Sequence, residues 1–76
     1  MARARVYNNL EAELARAHIL KYELAEIIGI FPTTLTTRLK GESDFKLSEM
    51  RLIRDRLQEE TGEYYTLDYL FEKEKK

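Results

Sequence analysis

Between Pro32 and Gly41 the chain reads PTTLTTRLKG, its densest group of side chains able to recognise another molecule. If Leu35 and Leu39, four residues apart, turn inward on a helix, then Thr33, Thr34, Thr37 and Arg38 fall largely on the solvent side. Hydroxyls can donate to or accept from base edges, and Thr methyls can touch a thymine methyl. Arg38 and Lys40 can reach base or phosphate. A solvated helix face would have the same composition, and chemistry alone weighs the two readings about equally. Propensity does not explain the threonines, because each β-branched residue is worse than Ala in a helix by roughly 0.5 kcal/mol.

Other chemistry finds little in the chain. It has no cysteine, hence no disulfide, no thiol nucleophile and no thiolate zinc site. His18 is the only histidine and has no second ligand of its kind, so it reads as a loop or surface residue. There is no nucleophile elbow, phosphate loop or Gly-rich dinucleotide turn. The expectation is a protein that is not an enzyme, with no catalytic residue, no metal, no cofactor and no small-molecule substrate.

The stretch that must position those threonines runs from Lys21 to Gly41, KYELAEIIGIFPTTLTTRLKG. It reads as two short helices joined at Gly29, with Leu24, Ile27 and Ile28 on the first and Leu35 and Leu39 on the second. Ala25 lies four residues before Gly29, where a small side chain lets the helices approach. Gly29 can take the left-handed conformation that ends a helix, and Pro32 suits the first turn of the next.

The order Ala25, Gly29, Ile30, Leu35, Leu39, Gly41 resembles the helix-turn-helix of phage lambda-type repressors and Cro proteins, the XRE family. Asn9-Leu10, Gly41-Glu42-Ser43-Asp44-Phe45, Leu47-Ser48-Glu49 and Leu67-Asp68-Tyr69-Leu70-Phe71 are similar to small phage-type members, so the likeness spans about residues 8 to 71. It implies an all-α, compact bundle of about five short helices, a lambda repressor-like DNA-binding domain. Its recognition helix, about 32–40, would lie in the major groove of double-stranded operator DNA. The chain departs from the family pattern at three helix starts. Leu20 and Phe31 stand where a Ser or Thr cap is usual, Lys46 where Thr is common, and Lys21 replaces a Gln that would touch phosphate. Each lost cap is worth roughly 1 kcal/mol. Leu20, Tyr22 and Phe31 are therefore expected to pack locally, as a hydrophobic staple does, with an exposed protein-binding patch as the alternative.

Around the motif, residues 1–7 read as a flexible N-terminal arm with Arg3 and Arg5, 8–72 as the domain and 73–76 as a frayed tail. A first helix from Asn8 or Asn9 to about Ala17 turns Leu10, Leu14 and Ala17 inward, with Asn8 and Glu11 as a capping pair. Phe45 reads as a core plug. A fourth helix from Leu47 to Gln58, or on to Thr61, places Leu47, Met50, Ile53 and Leu57 inside. Its Arg51, Arg54 and Arg56 pair outside with Glu49, Asp55, Glu59 and Glu60. A turn at Gly62 leads to a last helix from Leu67 to about Glu72, capped by Thr66.

At 76 residues there is room for one domain. One so small buries only about 60% of its unfolded surface, which favours tight packing or a dimer. The formal charge is -1, but residues 1–41 carry six basic against four acidic groups and residues 42–76 seven against ten. The excess on the first half is small, so a few phosphate contacts and dimerisation must carry DNA affinity. The reading that follows is a sequence-specific DNA-binding transcriptional regulator, cytoplasmic and without a membrane segment, acting as a homodimer. Thr33, Thr34, Thr37 and Arg38 would contact bases and Lys21, Lys40, Arg16 and Ser43 phosphates. Tyr64, Tyr65 and Tyr69, more aromatic surface than one short helix can bury, would form the dimer interface. The rival is a protein-interaction module, an antirepressor or antitoxin-like adaptor, using Leu20, Tyr22, Phe31 and the tyrosines.

Overall fold

Helix boundaries fall where apolar periodicity meets a residue that can turn the chain. The computed structural model describes residues 6–73. They form α1 (Asn8–Arg16), α2 (Lys21–Ile28), α3 (Pro32–Leu39), α4 (Leu47–Thr61) and α5 (Leu67–Leu70), with no strand among the described residues. The protein is a small all-α bundle in which α2 packs on α3 and α4, and α5 packs on α1 and α4. Each helix contributes at least one fully buried aliphatic residue: Leu10, Leu24, Leu35, Ile53, Leu57 and Leu70. Burial of each such side chain stabilises the fold by about 1.5–3 kcal/mol relative to leaving it in water.

One end of the core is aromatic. Tyr7, Phe45 and Phe71 meet edge-on, with ring centroids 5.3 to 6.0 Å apart, joining the segment before α1, the loop before α4 and the end of α5. Phe45 is the core plug expected. Tyr7 is not part of an arm: it is buried, it precedes α1 at the N-cap position, and Val6 packs against the same cluster. The periodicity of α1 begins after both residues, so no repeat marks them as core. Arg3 and Arg5 of the expected arm, and the tail from Glu74 onward, lie outside the described residues. Lys73, assigned to the frayed tail, pairs with Asp44 at 3.4 Å.

Helix ends follow the sequence in part. Gly29 adopts φ +76°, and its N–H donates to the Glu26 carbonyl while Ile30 N–H donates to that of Ala25. These paired bonds close α2 in the manner of a Schellman motif. Gly41, at φ +83°, closes α3 the same way through Gly41 N–H to the Arg38 carbonyl and Glu42 N–H to that of Thr37. The end of α1 repeats the pattern with His18 in the left-handed position, at φ 61°. Thr66 caps α5 by accepting from Tyr69 N–H at 3.1 Å. The Asn8–Glu11 pair does not form a cap, because Asn8 is already the first helical residue and Glu11 turns to Lys21 at 3.4 Å.

Two of the departing helix starts keep half a cap. The Glu23 carboxylate accepts from Leu20 N–H, and that of Glu49 accepts from Lys46 N–H, each at 2.9 Å. An acid at the third position thus reaches back to the start of the helix although the residue there has no side-chain acceptor. Local packing is not the compensation: Leu20, Tyr22 and Phe31 are 54%, 61% and 77% exposed. Leu47, expected inside, is also exposed, because the inward stripe of α4 runs through Glu49, Ile53 and Leu57 instead. Met50 is partly buried against the core.

Candidate nucleic-acid interface

The corner α2–turn–α3 is set by short-range packing. Ala25 and Ile28 of α2 are buried with Leu35 and Leu39 of α3, and residues 29–31 leave no slack between the helices. With two leucines held inward at a spacing of four, the exposed side of α3 carries Thr33, Thr36 and Lys40, with Thr34 and Thr37 at its margins. Thr33 and Lys40 are exposed, and Thr34 and Thr37 are half-buried. The Thr37 hydroxyl donates to the Thr33 carbonyl, and the Thr36 hydroxyl to that of Pro32, both at 3.1 Å. Such back-bonding explains how a threonine-rich helix satisfies its hydroxyls without leaving the helical conformation.

Arg38 is the departure. It was expected to face solvent, but its side chain is only 13% exposed and its Nε lies 3.4 Å from the Glu49 carboxylate, itself 8% exposed. Its guanidinium also donates to the Asp44 carbonyl, so the residue ties the end of α3 to the loop and to the start of α4. Position on the helix allowed this: Arg38 lies at the edge of the outward arc, next to Leu39. A low-dielectric pairing with a carboxylate withdrawn from water then draws it inward. The Nε makes the ionic contact without hydrogen-bond geometry and has no other partner. Glu49, expected on the salt-bridged outer face of α4, is therefore a core-side residue, and the outer pairs are Arg54–Asp55 and Arg56–Glu60.

The basic residues expected at phosphate divide. Lys40 is exposed at the end of α3. Lys21 opens α2 and is 61% exposed, though paired with Glu11. Arg16 is 68% exposed and lies 3.5 Å from Glu13. Ser43 is half-buried in the loop after α3. Across residues 27–41 there is no acidic residue, so α3 and the turn before it offer an anion no carboxylate of their own.

At the other end of the molecule, Glu13 organises the tyrosines. It is buried, with one carboxylate oxygen accepting from Tyr65 Oη at 3.0 Å and the other from Tyr69 Oη at 2.8 Å. The hydrogen bond to Glu13 raises the Tyr69 phenol above its usual range, with burial adding to it. Burial is also the main cause that raises Tyr7. Tyr65 is thus a core residue with almost no surface to offer a partner; Tyr69 has its hydroxyl engaged within its own chain, leaving part of its ring outside. Tyr64 alone of the three is fully displayed, at 80% exposure, beside an open cleft of about 330 Å³ that Arg16, Glu63 and Thr66 also line.

From sequence Glu13 has no assigned role and Glu49 is expected on the outer face, yet a signal exists for both. Each occupies the apolar stripe of its helix, Glu13 between Leu10 and Leu14 and Glu49 before Ile53, and an acid on such a stripe needs a buried donor. Among the described residues no group of three or more His, Asp or Glu side chains is placed to hold a metal ion. Nor is any helix there long and apolar enough to cross a membrane. Comparison with protein-family models, curated proteins and solved structures found no match.

Proposed function

We propose that this chain is a sequence-specific double-stranded DNA-binding regulator, resembling the phage repressor and Cro proteins, that inserts α3 into the major groove. It would act in the cytoplasm as a homodimer on half-sites about one helical turn, roughly 34 Å, apart. One observation carries the reading: α3 is seated by Leu35 and Leu39 so that Thr33 and Lys40 are exposed and Thr34 and Thr37 half-buried beside them, in a stretch free of carboxylates. A polyanion meets no carboxylate from α3 itself, and Lys21 and Lys40 can each take a phosphate as point charges.

Arg38 has no base-reading part in this proposal; it positions the helix. The dimer contact falls to Tyr64 and the open part of the Tyr69 ring. The test is selection from a pool of random duplexes, followed by gel shift of the recovered sites at low and physiological salt. A shared half-site, shifted at nanomolar to micromolar protein with steep salt dependence, supports the proposal. Failure of every duplex to shift at low salt removes it.

A second reading draws on the exposure of Leu20, Tyr22 and Phe31, three large apolar side chains within twelve positions. In that case the fold is a protein-interaction module, as in an antirepressor or an antitoxin-like adaptor. Loss of duplex binding together with a stoichiometric protein complex abolished by Tyr22→Ser would favour it.

A further inference from the structure

We propose that α3 reads thymine 5-methyl groups, so that a half-site is recognised by the placement of its T·A pairs and not through guanine. This rests on the DNA-binding reading and specifies what that surface recognises.

The starting point is what α3 lacks. Guanine is most often read by a bidentate cation, adenine by the amide of Asn or Gln, and the cytosine amine by a carboxylate. Arg38, the only residue from Gly29 to Gly41 with a donor fork, is committed to Glu49 and the Asp44 carbonyl. The same stretch contains no Asn, Gln, Asp or Glu. Lys40 is a flexible point charge suited to phosphate.

What remains is mostly carbon. The hydroxyl protons of Thr36 and Thr37 are spent on the carbonyls of Pro32 and Thr33, so these residues offer a methyl and an acceptor oxygen. Thr33 presents a methyl and a rotatable hydroxyl in the exposed first turn. Phe31, at the N-cap of α3, adds a ring that is 77% exposed, followed by exposed Pro32. Among major-groove features, the one that a carbon surface can distinguish is the thymine methyl, which Thr methyls and Phe contact in apolar fashion. The absence of carboxylates from residues 27–41 makes a duplex a better occupant for this surface than a basic peptide.

The experiment measures fluorescence anisotropy of labelled duplexes carrying a selected half-site pair, with each thymine replaced in turn by deoxyuridine. Deoxyuridine keeps every hydrogen-bonding group and removes only the methyl. At two or more positions of each half-site the replacement should weaken binding about fourfold, the equivalent of burying one methyl at about 0.8 kcal/mol. Thr37→Ser and, separately, Thr33→Ser keep the hydroxyl and lose the methyl. At least one of them should bind the thymine and deoxyuridine duplexes alike at one position, while the penalty at the others persists. A duplex that binds with no deoxyuridine penalty anywhere overturns the inference and leaves the DNA-binding reading standing. A penalty unchanged in Thr33→Ser, Thr37→Ser, Thr36→Ser and Phe31→Ser alike overturns the assignment to α3, and failure to select any duplex overturns the inference and the reading beneath it.

Discussion

The Arg38 guanidinium lies 3.4 Å from the Glu49 carboxylate, and both side chains are largely withdrawn from solvent. Through this pair the last turn of α3 is fastened to the first turn of α4, and Glu49 at the same time accepts the Lys46 N–H. Truncating one member leaves the other charge desolvated without its partner, which is costlier than never having built the pair.

Arg38→Ala is accordingly expected to act on stability, lowering the unfolding free energy by about 2–3 kcal/mol in urea denaturation. The base preferences recovered by duplex selection should be those of the unaltered chain. A stable variant with relaxed specificity would return Arg38 to the bases.

Glu13 fastens the opposite end, with a phenol on each carboxylate oxygen. Glu13→Gln replaces one carboxylate acceptor by a donor amide, so that one phenol loses the acceptor it now donates to, at a cost of about 1–3 kcal/mol, measurable by the same denaturation. A larger loss in Glu13→Ala, which removes both acceptors, would fit acceptor loss, whereas an unchanged Gln variant would contradict it.

The raised phenols of Tyr69 and Tyr7 set an alkaline limit. In the unfolded chain a tyrosine ionises near pH 10. In the fold these two hold their protons to higher pH, so above about pH 10 the unfolded state binds fewer protons than the native one and stability falls. The contribution is complete below that pH and is lost as pH rises through the folded values. Thermal unfolding followed from pH 8 to 11.5 should show the decline, and Tyr69→Phe should make it shallower.

Gly29 and Gly41 share a left-handed backbone but differ in surroundings. A Cβ at Gly29 meets nothing within 4 Å, whereas one at Gly41 comes within 3.1 Å of a Val6 methyl. Gly29→Ala should cost about 1–2 kcal/mol from backbone strain alone. Gly41→Ala should cost more, and Val6→Ala in the same chain should recover the difference, as a thermal denaturation series can decide.

For the proposed interface, Lys40→Ala should flatten the slope of log affinity against log salt by about 0.9, one phosphate contact. Lys21→Ala should flatten it less, because Lys21 is partly neutralised by Glu11. Both should weaken all duplexes about equally; discrimination between sequences by either lysine would refute the phosphate assignment.

Local chemistry was enough for the helices, for the corner at Gly29 and for most of the core. A leucine spacing of three or four, a glycine that can turn left-handed and a proline that starts a helix act within a few residues of one another, so they are legible in one dimension. The outward placing of Thr33 followed from the same periodicity. What no local rule could decide was which partner a polar side chain would find across the fold. Arg38 turned inward because Glu49, eleven residues on, waits there without water. Tyr65 and Tyr69 became internal donors because Glu13, more than fifty residues earlier, occupies an apolar stripe. Tyr7 joined the core because Phe45 and Phe71 offered their edges. A buried charge or hydroxyl must be paired, and the choice of pair is made by tertiary proximity.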